Sequence, residues 1–177
     1  MYFDELKKSM DWLAQKSDTV FIGQAVAVPG TAMFGTLKDI SRTKIIELPV
    51  AEEMQLGMSI GFAMDGKVPI SVYPRWNFLL LAVNQLVNHL DQMRMISNSG
   101  YRPKVIIRTG IGSERPLHPQ HQHIGDFSEA FGLMLKNINV IRLEEPDQIF
   151  ETYKNAYERD DGQSSLIVEY GDYYNEK

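Results

Sequence analysis

Six short apolar, β-branched runs recur along the chain, separated by stretches of helical character, and this alternation restricts the fold more than any other feature. The runs are TVFIG (19–23), KIIEL (44–48), VPISVYP (68–74), KVIIRTG (104–110), INVIRL (138–143) and SSLIVEY (164–170). Most are apolar at consecutive positions instead of every second one, as strands covered on both faces are. Between them, residues 2–16 place Phe3, Leu6, Met10 and Leu13 at helical spacings of three and four. Residues 50–64 and 77–98 are longer and more apolar, and residues 146–159 open on Pro146 and Asp147, both favoured in a first turn. Strands alternating with helices predict an α/β fold, a three-layer sandwich whose mainly parallel, six-stranded sheet lies between helices. No interior linker breaks the pattern, so residues 1–177 are expected to form a single domain.

Charge and composition then narrow the function. A net charge of -5 provides no basic field for a phosphate backbone, which argues against a nucleic-acid partner. The chain has no cysteine, which removes disulfides, cysteine nucleophiles and thiolate metal sites together. The start, MYFDELKKSM, lacks the apolar core of a signal peptide, and the longest apolar run, FLLLAV (78–83), is too short to span a bilayer. No membrane partner is expected, and a cytoplasmic location is.

Two long loops stand out. Residues 24–43 contain Pro29, Gly30 and Gly35, and residues 110–125 contain three glycines and two prolines. Long loops in a compact domain are more often functional than accidental. The second loop runs into PLHPQHQHIGDF (116–127), which holds His118, His121 and His123 of the four histidines in the chain. It follows the strand KVIIRTG, on the side where open parallel sheets bind ligands. An imidazole with a pKa of about 6.5 suits a general base. A metal site from His121 and His123, or a merely polar loop, fits the same residues.

Two further segments carry chemistry. In ELPVAEEMQLGMSIGFAMDG (47–66), Glu52 and Glu53 fall in a first helical turn, followed by a small-residue face of Gly57, Ser59, Gly61 and Ala63. Glycine costs a helix about 1 kcal/mol relative to alanine, so close packing against a subunit or a cofactor is expected to compensate. In YPRWNFLLLAVNQLVNHL, Trp76 and Phe78 follow a strand directly. They suit the core, or a platform for a planar heterocycle.

In this order and spacing the motifs resemble the pyrimidine-binding domain of transketolase-type thiamine-diphosphate enzymes, and most closely the β-subunit of 2-oxoacid dehydrogenase decarboxylase components such as pyruvate dehydrogenase. LPVAEEMQLGMSIGFAMDGKVPI resembles the family's strand–Pro–Ile–Ser–Glu helix, and WNFLLLAVNQLVN its aromatic–Asn–Phe segment. VIIRTGIG resembles the strand ending in arginine, and HPQHQH the Gly–Pro–Gln–His–Ser–Gln loop. The resemblance implies the thiamine-diphosphate-binding fold. It also implies a catalytic carboxylate that shares a proton with the cofactor's aminopyrimidine. Glu52 stands five and nine residues before Gly57 and Gly61, as the motif requires; Glu53 stands four and eight before them. By the same resemblance Trp76 stacks on the pyrimidine and Phe78 supports it. His121 is then the loop histidine that assists proton transfer, and Arg108, aligned with the arginine ending the family's strand, anchors the loop rather than touching substrate. Arg75, Arg115, His118 and His123 are candidate substrate-binding groups, and their density favours an anionic or phosphorylated substrate.

The family holds the diphosphate through Mg2+ on a second domain that begins Gly-Asp-Gly, whereas here Gly-Asp occurs only in GDF (125–127) and GDY (171–173). The resemblance therefore implies the pyrimidine-binding subunit of a split thiamine-diphosphate enzyme, acting at a carbon–carbon bond beside a carbonyl of a small-molecule substrate. Its partner would be a separate diphosphate-binding subunit with the Gly-Asp-Gly motif, in a hetero-oligomer with two copies of each. A catalytically inactive assembly or regulatory subunit, and a histidine-loop metalloprotein, are the alternative readings. No resident metal on this chain is expected. Elemental analysis of the purified protein should find well under one equivalent of transition metal; a full equivalent would favour the metalloprotein.

Overall fold

The computed structural model describes residues 1–112, 114 and 118–176. The six apolar runs become β1 (Thr19–Gly23), β2 (Ile45–Glu47), β3 (Val68–Tyr73), β4 (Ile106–Ile111), β5 (Asn139–Arg142) and β6 (Ser165–Tyr170). All pair in parallel, in the order β2-β1-β3-β4-β6-β5, so every strand ends at the same edge of the sheet. In register, Phe21 lies beside Ile70, Ile70 beside Ile106, and Ile106 beside Ser165.

Successive strand residues point to opposite faces, and each face is sealed by its own core. One core joins Phe21, Ile70, Ile106 and Ile167 to α1 (Tyr2–Ala14) and α6 (Pro146–Glu158), through Leu6, Met10, Ile149 and Tyr153. The other joins Tyr73, Ile107, Leu166 and Val168 to α2 (Glu52–Met64) and α5 (Ser128–Met134), through Leu56, Ile60 and Phe131. Consecutive apolar residues in a strand thus serve both layers of helices, and the three-layer sandwich follows. Among the described residues, no helix is long and apolar enough to cross a membrane.

The helix expected over 77–98 is not continuous. It begins as α3 (Trp76–Leu79), tightens into a 3-10 turn at Leu80–Ala82, widens into a π-helical stretch at Gln85–Leu90 and ends as α4 (Met93–Ile96). The wide stretch ends on Asp91, which is 1% exposed and accepts hydrogen bonds from the backbone N–H groups of Lys136 and Asn137 at 3.0 and 2.7 Å. Drawing that carboxylate inward fixes the phase of the helix.

The carboxyl ends of β4 and β6 are bridged by a fully buried ion pair. Arg108 donates from Nε and Nη2 to the two oxygens of Glu169 at 2.6 and 3.0 Å, with neither side chain exposed. Glu169 also accepts from the hydroxyls of Tyr153 and Tyr174, and Arg108 Nη1 donates to Thr36 Oγ1 at 2.8 Å. Burial alone would lower the arginine pKa, but the charge of Glu169 together with the Tyr174 and Tyr153 oxygens and the Glu169 hydrogen bonds outweighs it and raises it well above the ordinary value. Burial, with the same charge, pushes both tyrosines up, so they remain donors. Removing one partner of such a pair strands the other charge. Arg108→Met should therefore cost about 3–5 kcal/mol, measured by denaturant unfolding, and Arg108→Met with Glu169→Leu should recover much of that loss.

Candidate functional site

Four of the strands end around one cavity. It has a volume of about 650 Å³ and is walled by Gln24 and Ala25 after β1, Pro74, Arg75 and Phe78 after β3, and Gly110 to Gly112 at the end of β4. Residues Gly30 to Met33 close one side, and Gly171, Tyr174 and Asn175 after β6 close the other. Much of this wall is main chain. A Cβ on Gly110 would lie 3.1 Å from the flexible end of Met33 at Cε and 3.4 Å from the Pro74 carbonyl, so these segments pack closely at the glycine.

The wall after β1 is held by a carboxylate that the sequence did not single out. Glu47 accepts hydrogen bonds from three successive amides, Ala25 N at 2.6, Val26 N at 2.9 and Ala27 N at 2.7 Å. Three converging N–H groups make an anion-binding concavity. The arrangement holds Ala25 at a φ of 52°, a left-handed conformation that costs a residue with a side chain about 1–2 kcal/mol.

Arg75 is half-buried, and burial lowers its pKa while the Asp172 charge opposes that shift. Its Nη1 donates to the carbonyl oxygens of Gly112 and His123, at 2.5 and 3.0 Å. The guanidinium expected to meet substrate thus spans the two ends of the histidine loop. Arg115, named with it, lies outside the described residues. His118 is exposed, accepts from Gln120 N on Nδ1 at 3.0 Å and places Nε2 3.7 Å from Glu114. His121 is exposed as the first residue of a 3-10 turn, His121–His123. His123 is the imidazole turned inward, with its ring centroid 5.2 Å from that of Phe78.

Trp76, expected to stack on the pyrimidine, is fully buried in this chain, packed against Phe131 at 4.9 Å and Phe127 at 6.2 Å. Phe78, two residues on, is the ring on the cavity wall. Glu52 opens α2 at the carboxyl edge of the sheet and is 7% exposed, outside the cavity lining. Its main-chain carbonyl accepts from the Tyr73 hydroxyl at 3.3 Å, while its carboxylate accepts no hydrogen bond among the described residues. Glu53 is exposed and accepts from Asn84 Nδ2 at 3.1 Å, on the outer face of the same helix.

Buried polar groups normally find partners. Among the described residues, the buried side-chain atoms without one are Trp76 Nε1, Asn77 Oδ1, Thr109 Oγ1 and His123 Nδ1. All four belong to the carboxyl ends of β3 and β4 or to the loop above them. No group of three or more described His, Asp or Glu side chains is placed to hold a metal ion.

A parallel sheet with glycine-walled loops at its carboxyl edge defines a ligand-binding α/β class, and sequence comparison makes it specific. Residues 5–174 match the family model described as transketolase, pyrimidine binding domain. The chain belongs to that family. It is 32% identical over 126 residues to the pyruvate dehydrogenase E1 component subunit beta of Gracilaria tenuistipitata var. liui, covering 68% of this chain and 39% of that protein. It is 27% identical over 115 residues to the 2-oxoisovalerate dehydrogenase subunit beta of Bacillus subtilis (strain 168), covering 63% of this chain and 35% of that protein. The chain thus spans well under half the length of these curated relatives. A solved structure titled split gene transketolase, inactive beta4 tetramer, superposes with a TM-score of 0.64 at 17% identity, over 95% of this chain and 50% of that one. At that identity the likeness is one of fold.

The Glu47 contacts generate a direct expectation. In Glu47→Ala the amides of Ala25, Val26 and Ala27 lose their acceptor and should exchange with solvent at least about tenfold faster. Amides of β3 should be unchanged, as followed by hydrogen-exchange NMR.

Proposed function

We propose that this chain is the pyrimidine-binding unit of a thiamine-diphosphate-dependent enzyme acting on a small carbonyl substrate, a 2-oxoacid or a ketose. The observation that carries the reading is Glu52, a carboxylate withdrawn from solvent at the first turn of α2 with no hydrogen-bond partner among the described residues. It stands in a chain that belongs to the transketolase pyrimidine-binding family. A carboxyl group so shielded is suited to exchanging a proton with a ring nitrogen. Phe78 offers a flat apolar ring from the cavity wall. An acid and an aromatic face are the chemistry an aminopyrimidine requires, and both follow strands at the carboxyl edge of the sheet, Glu52 after β2 and Phe78 after β3. When bound, the cofactor would supply the nucleophilic carbon that attacks a carbonyl. Glu52 would hold and exchange the proton at the ring nitrogen, and Phe78 would fix the plane of the ring. His121, the histidine matching the family loop, would assist proton transfer at the substrate.

The diphosphate and its Mg2+ are assigned to a separate subunit bearing Gly-Asp-Gly, with two copies of each chain in the assembly. Helix α2 supports this arrangement. A Cβ on Gly61 would meet no atom within 4 Å, one on Gly57 would meet nothing nearer than 3.8 Å, and Met54 beside them is 46% exposed. This small-residue face, with the segment from α3 to α4, is the surface assigned to assembly. Of the four cations that favoured a phosphorylated substrate, Arg75 is engaged by main-chain carbonyls and His118 by Gln120 and Glu114.

Calorimetry with thiamine diphosphate and Mg2+ tests the reading. Binding should be weak or absent for the chain alone and restored by the Gly-Asp-Gly subunit. Tight Mg2+-dependent binding to this chain alone would overturn the split arrangement. In the assembled enzyme Glu52→Gln should abolish turnover with the fold intact, since an amide cannot exchange that proton, and Glu53→Gln should be nearly silent. A reversal of those two effects would refute the assignment of Glu52.

A further inference from the structure

We infer that Arg75 is a positioning residue that latches the two ends of the histidine loop together and so sets His123 against the cavity wall; this rests on the reading of the site given above. Three observations converge on it. One nitrogen, Nη1, donates to the carbonyls of Gly112 and His123, residues on either side of the loop, at 2.5 and 3.0 Å. At the first anchor the chain leaves β4 through Gly112 with a φ of 69°, a sharp departure that a side chain would resist. Within the loop Gln120 adopts φ 62° and ψ -171°, a region populated almost only by glycine.

Strain of that kind persists only where the surroundings over-determine the backbone. Besides Arg75, Asp172 accepts from Glu114 N at 2.9 Å, and Arg142 lies 3.3 Å from Asp126 beyond the loop. Of these tethers only Arg75 touches both ends of the loop. It also lines the cavity with Phe78, on whose ring His123 packs. The Nδ1 of His123 is buried without a hydrogen-bond partner among the described residues. The latch therefore determines where an uncommitted imidazole sits relative to the cavity.

The test compares wild type, Arg75→Met and Arg75→Lys. Hydrogen exchange on the chain alone should show the amides of Glu114 and Gln120, bonded to Asp172 and His118, opening roughly tenfold or more faster in both variants. Amides of β4 should be unchanged. In the reconstituted enzyme kcat should fall on the order of 10- to 100-fold, with KM little altered, for anionic and uncharged carbonyl substrates alike. Lysine keeps the charge but on a shorter stem that stops short of both carbonyls, so it should not rescue. Unchanged loop exchange, full rescue by lysine, or a KM rise confined to anionic substrates would each overturn the latch. If the wild-type assembly turned over no substrate, the functional reading would fail, and the exchange data would still decide the latch.

Discussion

Arg108 and Glu169 meet inside the sheet with neither side chain reached by water, and much of the carboxyl edge is arranged to satisfy them. A buried ion pair repays its desolvation only when its remaining donors and acceptors are also bonded. Here that requirement draws in Tyr153 from α6, Tyr174 from the segment after β6, and Thr36 from the long loop after β1. Tyr174 and the neighbouring loop residue Met33 are also walls of the cavity. The pair thus does more than join two strands. By demanding partners from three separate segments, it fixes where two sides of the cavity stand. Stability and site geometry share one set of hydrogen bonds.

Around that anchor the cavity is assembled by main-chain capture. Glu47 gathers three amides and Arg75 gathers two carbonyls, so loops without regular structure are held as firmly as the strands that feed them. The Glu52 carboxylate and the Nδ1 of His123 are by contrast short of hydrogen-bond partners among the described residues. Saturated supports around unsaturated functional groups are the electrostatic signature expected of preorganisation, because the groups left open are those a ligand must complete.

How far the sequence reveals this depends on the range of the determining interaction. The strands were legible because burial on both faces leaves a local record, consecutive apolar residues. Glu52 was separable from Glu53 by glycine spacing on one helix, and the structure places the first inward and the second outward. The continuous helix over 77–98 was an over-reading, since apolar spacing does not distinguish an α-helical turn from a π-helical one. The widening there is tied to amides of Lys136 and Asn137, far along the chain. The choice between Trp76 and Phe78 was hidden for the same reason. Phe127 and Phe131, fifty residues on, decide which ring is buried. Glu47 and Arg75 bind peptide groups, which every residue carries, so neither partner leaves a mark in the sequence.

A cavity walled by peptide backbone also has a consequence for how such a site diversifies. With Gly110 closely packed against Met33 and Pro74 and the wall after β1 built from amides around Glu47, much of the lining is main chain that single substitutions leave in place. Loop length, in contrast, is lightly constrained, since each doubling of a flexible loop costs only about 0.6 kcal/mol. Relatives with different substrate ranges should therefore differ here by insertions and deletions after β1 and β4 more than by exchanges of lining residues. Selectivity in this architecture is edited by the path of the chain.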